Sequence, residues 1–219
     1  MKLEPETVDT TRPEVVNVDI VASPYLLSTR KRVVDILFGV LGLLVLAAMF
    51  PLVAGLIKID SRGPVFYRQA RLGRAGRVFP LVKFRTMVDA AEAPGSPVFA
   101  QAADPRITRF GWFMRRTYID EFPQWWNVIK GEMSTVGPRP ERPEMRDQIV
   151  KRYPRFENRI KAKPGITGLA QIRYGYVRTM EDSKRKLSYD QLYIESASFM
   201  VDLWIMLRTI VRVVGSRGT

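Results

Sequence analysis

The longest feature of the hydropathy pattern is a run without charged residues from Ile36 to Ile57. A helix of roughly 22 residues is long enough to cross the hydrocarbon core of a bilayer. A buried helix of a soluble domain is the alternative. The run is, however, continuously rich in Leu, Val, Ala and Gly and has no polar face. We therefore predict that it inserts into a membrane.

A proline inside this run suggests that the helix does not cross the bilayer as one straight segment. Pro51 lacks a backbone N–H and its ring clashes with the preceding turn, so the sequence predicts a kink or break at Phe50-Pro51. Basic residues lie on both sides of the run, at 30–32 before it and from Lys58 onward after it. A true span would place one basic cluster outside, against the positive-inside tendency. The sequence thus predicts a re-entrant helix hairpin that enters and leaves the same leaflet.

The rest of the chain alternates short elements with turns. Residues 65–87, VFYRQARLGRAGRVFPLVKFRTM, predict a β-hairpin whose turn contains Gly73 and Gly76. Residues 87–111 are rich in Ala, Pro and Gly and predict a surface loop with a short helix. Residues 112–131 predict a helical region with Pro123 at a helix boundary. Residues 187–215 predict an interfacial helix, with a core helix as the alternative.

The composition restricts the possible chemistry of the protein more than it restricts the possible folds. The chain has 219 residues and a net charge of +13, which predicts anionic partners such as nucleic acid, an acidic membrane surface or phosphate-bearing substrates. It contains no Cys and no His. Ser-His and Cys-His catalysis and Cys-based metal sites are therefore excluded. An enzyme of this composition depends on carboxylates, hydroxyls, Lys or Arg, and a hard metal ion.

An acidic pair, Asp120-Glu121, lies within this basic chain. By itself such a pair is typical of a solvated helix start. Basic residues surround it in the sequence, and guanidinium groups bind phosphate oxygens in a bidentate manner, while a carboxylate can hold Mg²⁺ or attack phosphorus. The basic residues in the motifs around the pair are Lys83, Arg85, Arg115, Arg116, Arg139 and Lys163.

Four blocks in this order resemble one family. They are KFRTM, DPRITRFGWFMRRTYIDEFPQWWNVIKGEMSTVGPRPE, KPGITGLAQI and LSYDQLYIE followed by VDLWIMLRTI. The chain resembles, from about Thr29 to its last residues, the monotopic phosphoglycosyl transferases, which are bacterial sugar transferases. It is similar to their small, catalytic-core form.

The resemblance implies an α+β, mainly helical fold with a re-entrant membrane helix hairpin broken at Pro51, a small β-hairpin and amphipathic interfacial helices. The expected organisation is a flexible amino-terminal leader over 1–28, the membrane helix over 29–60 and a cytosolic catalytic domain over 61–219. The expected location is the bacterial inner membrane, as a monotopic protein with its active site on the cytoplasmic face.

The resemblance also implies an activity, the transfer of a sugar-1-phosphate from a UDP-sugar to polyprenol (undecaprenyl) phosphate with release of UMP. The family's attacking residue falls on Asp120, which would carry the phosphosugar covalently. Glu121 would assist in metal binding or proton transfer, with Mg²⁺ as the cofactor held by Asp120 and Glu121. Arg115 and Arg139 match phosphate-contacting arginines, and Lys83 and Arg85 are expected to face the same site.

One departure from the family and two alternative functions remain at this point. The membrane break commonly carries Ser-Pro in the family, whereas this chain has Phe50-Pro51. A catalytically inactive, membrane-anchored scaffold of the same fold is one alternative, although Asp120, Glu121 and Arg139 are intact. A nucleic-acid-binding protein is the other, but it leaves the apolar run unexplained, so we expect an anionic phospholipid membrane and no nucleic acid as partner. No motif specifies the sugar.

Overall fold

A computed structural model describes residues 19–88, 104–174 and 180–215. The described part is mainly helical, with one antiparallel and one parallel pair of short strands. It therefore has the α+β class that the sequence predicts. The loop predicted over 87–111 lies mostly outside the described residues.

Helix α1, Thr29–Asp60, contains the apolar run. Ser28 begins it as N-cap, with its hydroxyl accepting the Lys31 N–H. The helix is long and apolar enough to cross a membrane, and only 17% of its most apolar stretch is buried. Its outward face is therefore a continuous apolar surface, formed by Val33, Ile36, Leu37, Phe38, Val40, Leu41, Leu44, Val45, Phe50 and Leu52.

The expected break at Pro51 is wrong: α1 continues through it without interruption. Proline removes a single backbone hydrogen bond and costs about 3 kcal/mol in a helix interior. Packing on the domain offsets that cost. The Phe50 ring stacks on Phe66 at a centroid distance of 5.6 Å, and Val53 and Ile57 are buried one and two turns later. The second half of α1 is thus part of the domain core rather than a separate arm.

The predicted β-hairpin is confirmed. Strands β1, Phe66–Leu72, and β2, Val78–Phe84, pair antiparallel, with Tyr67 opposite Lys83. A short 3-10 helix, Arg74–Gly76, joins them, and Gly76 adopts a φ of 72° that favours glycine.

The helical region predicted over 112–131 is confirmed as two helices. Helix α2, Arg109–Thr117, and helix α3, Gln124–Lys130, are separated by a 3-10 turn, with Pro123 at the start of α3 as expected. Strand β3, Ser134–Val136, follows and pairs in parallel with β4, Gly165–Thr167. The sequence patterns did not predict this second strand pair.

Helices make up the rest of the described part. Helix α4, Pro143–Arg152, is followed by a 3-10 helix, Pro154–Lys161, and then by three further helices, α5, Leu169–Arg173, α6, Met180–Ser196, and α7, Phe199–Gly215.

Helix α7 has two apolar faces. Its inner face buries Val201 and Ile205 in the main core, while Leu207, Ile210 and Val211 are exposed. Helix α7 thus serves as a core helix on one side, and its interfacial role stays a prediction for the other.

Part of the predicted flexible leader is folded. Ile20 and Leu26 are buried in the main core, and Pro24–Leu27 form a 3-10 helix. The Ser23 hydroxyl donates to the Ala197 carbonyl at 2.7 Å, and the Tyr25 hydroxyl donates to Asp202 at 3.0 Å. Residues 19–28 therefore belong to the domain.

Candidate active site

The acidic pair lies in the 3-10 turn Ile119–Glu121, between α2 and α3. Tyr118 ends α2 in the left-handed conformation, with a φ of 57°, and so turns the chain out of the helix. This conformation is uncommon for a residue with a bulky side chain. Asp120 and Glu121 are only 7% and 9% exposed, so they are not a solvated helix start.

Lys83 and Arg139 bring positive charge to the pair. Lys83 comes from β2, and its Nζ lies 2.7 Å from Oε1 of Glu121 and 3.8 Å from Oδ2 of Asp120. Arg139 lies in the loop after β3, and its Nη2 donates to the same Oε1 at 2.8 Å. Glu121 therefore holds two cations beside Asp120.

The two other predicted phosphate-binding residues differ in position. Arg115, in the last turn of α2, donates from Nε to the Thr86 hydroxyl at 2.9 Å, and its charge acts on the pKa of Asp120. Arg85 instead donates from Nη2 to the Ser61 carbonyl at 2.7 Å, at the end of α1. No hydrogen bond or ion pair within the described ranges joins Arg85 to the acidic pair.

The two carboxyls have opposite electrostatic surroundings. Burial raises the pKa of Asp120, and the cations of Lys83, Arg115 and Arg139 only partly oppose this. Burial alone would also raise the pKa of Glu121, but Arg139 and Lys83 bond directly to it and hold its pKa well below the usual range. Two neighbouring carboxyls with pKa values pushed apart are suited to different roles.

The acidic pair has a donor set that fits Mg²⁺. This ion prefers carboxylate oxygens and usually takes one or two carboxylates together with water and substrate phosphates. Asp120 and Glu121 are adjacent, and Lys83 and Arg139 both bond Oε1 of Glu121. Within the described part of the chain no group of three or more acidic side chains forms a closed metal cage. The pair therefore suits an open site that shares the ion with a phosphate ligand.

A buried charge network behind Arg139 was not found from the sequence. Glu141 is bonded to Lys186 and to Arg159 Nη1, the latter at 3.2 Å, and Arg159 Nε donates to Asp190 at 2.8 Å. Glu141 follows directly on the Gly-Pro-Arg-Pro motif, a signal that could have identified it. Arg159 lies in RFENRIK, where nothing distinguishes it from surface arginines.

Comparison with known proteins gives a consistent result. The family model described as bacterial sugar transferase matches residues 26–216. The chain is 40% identical over 180 residues to the UDP-N-acetylgalactosamine-undecaprenyl-phosphate N-acetylgalactosaminephosphotransferase of Aeromonas hydrophila, covering 82% of this chain and 42% of that protein. It is 40% identical over 183 residues to the UDP-glucose:undecaprenyl-phosphate glucose-1-phosphate transferase of Caulobacter vibrioides, covering 83% and 68%.

A third relative is covered over most of its length. The exopolysaccharide production protein ExoY of Sinorhizobium fredii is 35% identical over 206 residues, which are 86% of this chain and 87% of that protein. By contrast, the chain spans less than half of the Aeromonas relative. Because the family model extends over most of the residues and includes every predicted site residue, the chain belongs to the bacterial sugar transferase family.

Proposed function

We propose that this protein transfers a sugar-1-phosphate from a UDP-sugar to polyprenol phosphate, of the undecaprenyl type, and releases UMP. The observation that carries the proposal is the buried pair Asp120-Glu121 with Lys83 and Arg139 bonded to it and Arg115 within electrostatic reach. The names of relatives support the donor and acceptor classes, since they describe UDP-sugar and undecaprenyl-phosphate transferases. Such a reaction is an early membrane step in exopolysaccharide or glycoconjugate assembly.

Asp120 is the proposed nucleophile. Its carboxylate oxygen attacks the phosphorus that carries the sugar, the bond from that phosphorus to the bridging oxygen breaks, and UMP leaves. The oxygen of polyprenol phosphate then attacks the same phosphorus and displaces Asp120, which forms a polyprenyl diphosphate sugar and restores the carboxylate. Burial of Asp120 removes water from this carboxylate, so fewer solvent interactions are lost at attack.

The cations stabilise charge on the phosphates. Arg115 and Arg139 are the proposed clamps of the donor diphosphate, and Lys83 lies between the two carboxyls of the site. Positioned cations in a site shielded from water are worth far more than in bulk solvent. Glu121 keeps Lys83 and Arg139 in place through its two ion pairs. Asp120 and Glu121 would hold Mg²⁺, which supplies further neutralisation of phosphate charge when bound.

The contacts of α1 support a monotopic placement, with both ends of the helix on the same side of the membrane. The helix is about 48 Å long at 1.5 Å per residue. Near its start, Lys31 Nζ donates to the Val136 carbonyl, and at its end Asp60 accepts the Phe110 N–H. Gly39, between these points, packs closely on Ile129 of α3. Because both ends of α1 contact one domain, a crossing that puts its ends on opposite sides of a bilayer would disrupt that domain.

The outward face of α1 indicates how the helix contacts the membrane. It is apolar along its length, and its side chains remain exposed within the described residues. Lipid chains can cover such a face while the domain stays at the membrane surface. We propose that α1 lies in one leaflet of the bacterial inner membrane, beside anionic phospholipids, with the site on the cytoplasmic side where UDP-sugars are found.

A screen of UDP-sugars tests the function. Purified protein in detergent or nanodiscs is given each donor with undecaprenyl phosphate and Mg²⁺, and UMP release is measured. We expect one or a few donors, among glucose, galactose and N-acetylated amino sugars, to support turnover. No UMP release with any donor would overturn the proposed activity and favour an inactive scaffold.

Isotope exchange tests the role of Asp120. If a covalent phosphosugar forms first, labelled UMP will exchange into the UDP-sugar when the acceptor is omitted. The Asp120→Asn variant should lose both exchange and turnover. If it is as active as the unmodified protein, the assignment of Asp120 as nucleophile is wrong.

A further inference from the structure

Hydrogen bonds to four carbonyl groups hold the loop that carries Arg139. Pro138 and Pro140 have no N–H to donate, so neither residue can fix the loop through a backbone N–H. Instead, four consecutive carbonyls each accept a hydrogen bond from another part of the domain. The pairs are Pro138 with Gly165 N at 2.9 Å, Arg139 with Arg159 Nη2 at 2.7 Å, Pro140 with Arg71 Nη1 at 3.1 Å, and Glu141 with Leu72 N at 2.9 Å.

Arg159 supplies the donor to the carbonyl of Arg139 itself. Its guanidinium donates to the Arg139 carbonyl, to Glu141 Oε1 at 3.2 Å and to Asp190 Oδ2 at 2.8 Å. Its side chain is only 6% exposed and that of Asp190 is 2% exposed. Five fixed N–H donors in one plane let an arginine bond three acceptors at once, here two in the Arg139 loop and one on α6.

The Arg139 carbonyl belongs to the same residue as the guanidinium that we assign to phosphate binding. A hydrogen bond at this carbonyl fixes the backbone from which the Arg139 side chain extends to Glu121. We propose that Arg159 is a positioning residue, which aims the Arg139 guanidinium at the acidic pair by holding the Arg139 carbonyl. The inference rests on the proposed function, because it assigns Arg139 to the donor phosphates.

The proposed effect is one of geometry. A displacement of about 1 Å in a positioned group can cost about 10²-fold in rate. Lysine has three donors on a flexible stem and cannot reproduce the planar arrangement. Arg159→Lys should therefore recover only part of the lost rate.

The variant must avoid leaving a buried charge unpaired. Removing Arg159 alone would strand Asp190, at a cost in stability that could unfold the protein. We therefore pair Arg159→Gln with Asp190→Asn, while Lys186 continues to neutralise Glu141. We expect kcat for UMP release to fall by about 10²-fold with the thermal unfolding midpoint largely retained.

A double-mutant cycle separates positioning from a general structural effect. The Arg159→Gln/Asp190→Asn change is made in the unmodified protein and again in Arg139→Gln. If Arg159 acts through Arg139, the change will lower kcat strongly in the first background and by less than about threefold in the second. Equal fold-losses in both backgrounds would overturn the proposal.

Two further variants keep the test decisive. Arg146→Gln removes an arginine that bonds Glu157 and Asp147 but no carbonyl of the loop, so it should leave kcat unchanged. If the Arg159 pair does not fold, Arg71→Gln, which frees the Pro140 carbonyl, is put through the same cycle with the same expected result. If the unmodified protein releases no UMP, the proposed function is wrong. If it is active but the two changes lower kcat by independent factors, only the positioning role of Arg159 is wrong.

Discussion

Lys83 Nζ lies 2.7 Å from Oε1 of Glu121, whereas its distance to Oδ2 of Asp120, the preceding residue, is 3.8 Å. The same Oε1 also accepts a hydrogen bond from Arg139, so Glu121 bonds directly to both cations. Asp120 is left with a pKa that burial raises. Two adjacent carboxyls of similar chemistry are in this way prepared for a supporting role and a reactive one.

Removing Lys83 should move the pH profile of the reaction. Its charge is the largest influence that lowers the pKa of Asp120. Asp120 must be ionised to attack, so Lys83→Met should raise its pKa further and move the acidic limb of kcat/KM to higher pH. At neutral pH we expect a loss of about 10²-fold. The profile is measured by UMP release. Lys130→Met, an exposed lysine on α3, is the control, and an unmoved limb in Lys83→Met would contradict the prediction.

Glu121→Gln should weaken the response to Mg²⁺. The change removes one carboxylate from the proposed ligand pair and leaves Lys83 and Arg139 without the negative charge that they share, so the site becomes more positive. We expect the Mg²⁺ concentration for half-maximal UMP release to rise at least about tenfold. Glu144→Gln, on exposed α4, is the matched control and should titrate like the unmodified protein. An unchanged Mg²⁺ titration of Glu121→Gln would remove Glu121 from the metal site.

Glu141 should stabilise the fold in a way that depends on pH. Burial alone would raise its pKa, but Lys186 and Arg159 lower it from 4.5 to about 2. A depressed folded-state pKa adds stability that is fully present above pH 4.5 and is lost as pH falls toward 2. Glu141→Gln should therefore lower the free energy of unfolding at pH 7 by about 3 kcal/mol.

The difference between the unmodified protein and Glu141→Gln should also shrink between pH 4.5 and 3. Thermal unfolding in detergent at a series of pH values measures it. Asp190, whose pKa burial raises, is present in both proteins, so its own pH dependence cancels to first order. A constant difference in the free energy of unfolding across this range would show that the ion pairs do not keep Glu141 ionised.

Two glycines of α1 should respond oppositely to alanine. A Cβ at Gly42 would overlap the Trp125 indole, whereas a Cβ at Gly55 would meet no atom within 4 Å. We expect Gly42→Ala to destabilise the protein by about 1–3 kcal/mol through overpacking. Gly55→Ala should be neutral or stabilise the helix by up to about 1 kcal/mol. Equal unfolding midpoints for both variants would mean that α1 does not dock on α3 in this way.

Cysteine labelling can test the placement of α1, because the chain has no native cysteine. Single cysteines at Thr29 and Arg62, both exposed and just within and beyond the helix ends, should react with a membrane-impermeant reagent from the cytoplasmic side only. A cysteine at Leu41, on the outward apolar face, should be protected from both sides. Labelling of Thr29 and Arg62 from opposite sides would mean a true span.

Local patterns predicted the elements whose causes are local. The β-hairpin followed from alternating β-prone residues around Gly73 and Gly76, and the helical region 112–131 followed from its aromatic and aliphatic spacing. The break at Pro51 was wrong because the penalty of a proline is local, whereas the packing of Phe50, Val53 and Ile57 that offsets it comes from distant residues.

The sequence by itself determined the chemical possibilities. The lack of Cys and His left carboxylates, hydroxyls, Lys and Arg as the possible reactive groups. The order of motifs around Asp120 indicated the family before any contact was known. The tertiary structure decided which cations reach the acidic pair. It joined Lys83 and Arg139 to Glu121, directed Arg85 to the end of α1, and set Arg159 behind Arg139. These contacts depend on side chains far apart in the chain, and a motif records the types of residues but not the distances between them.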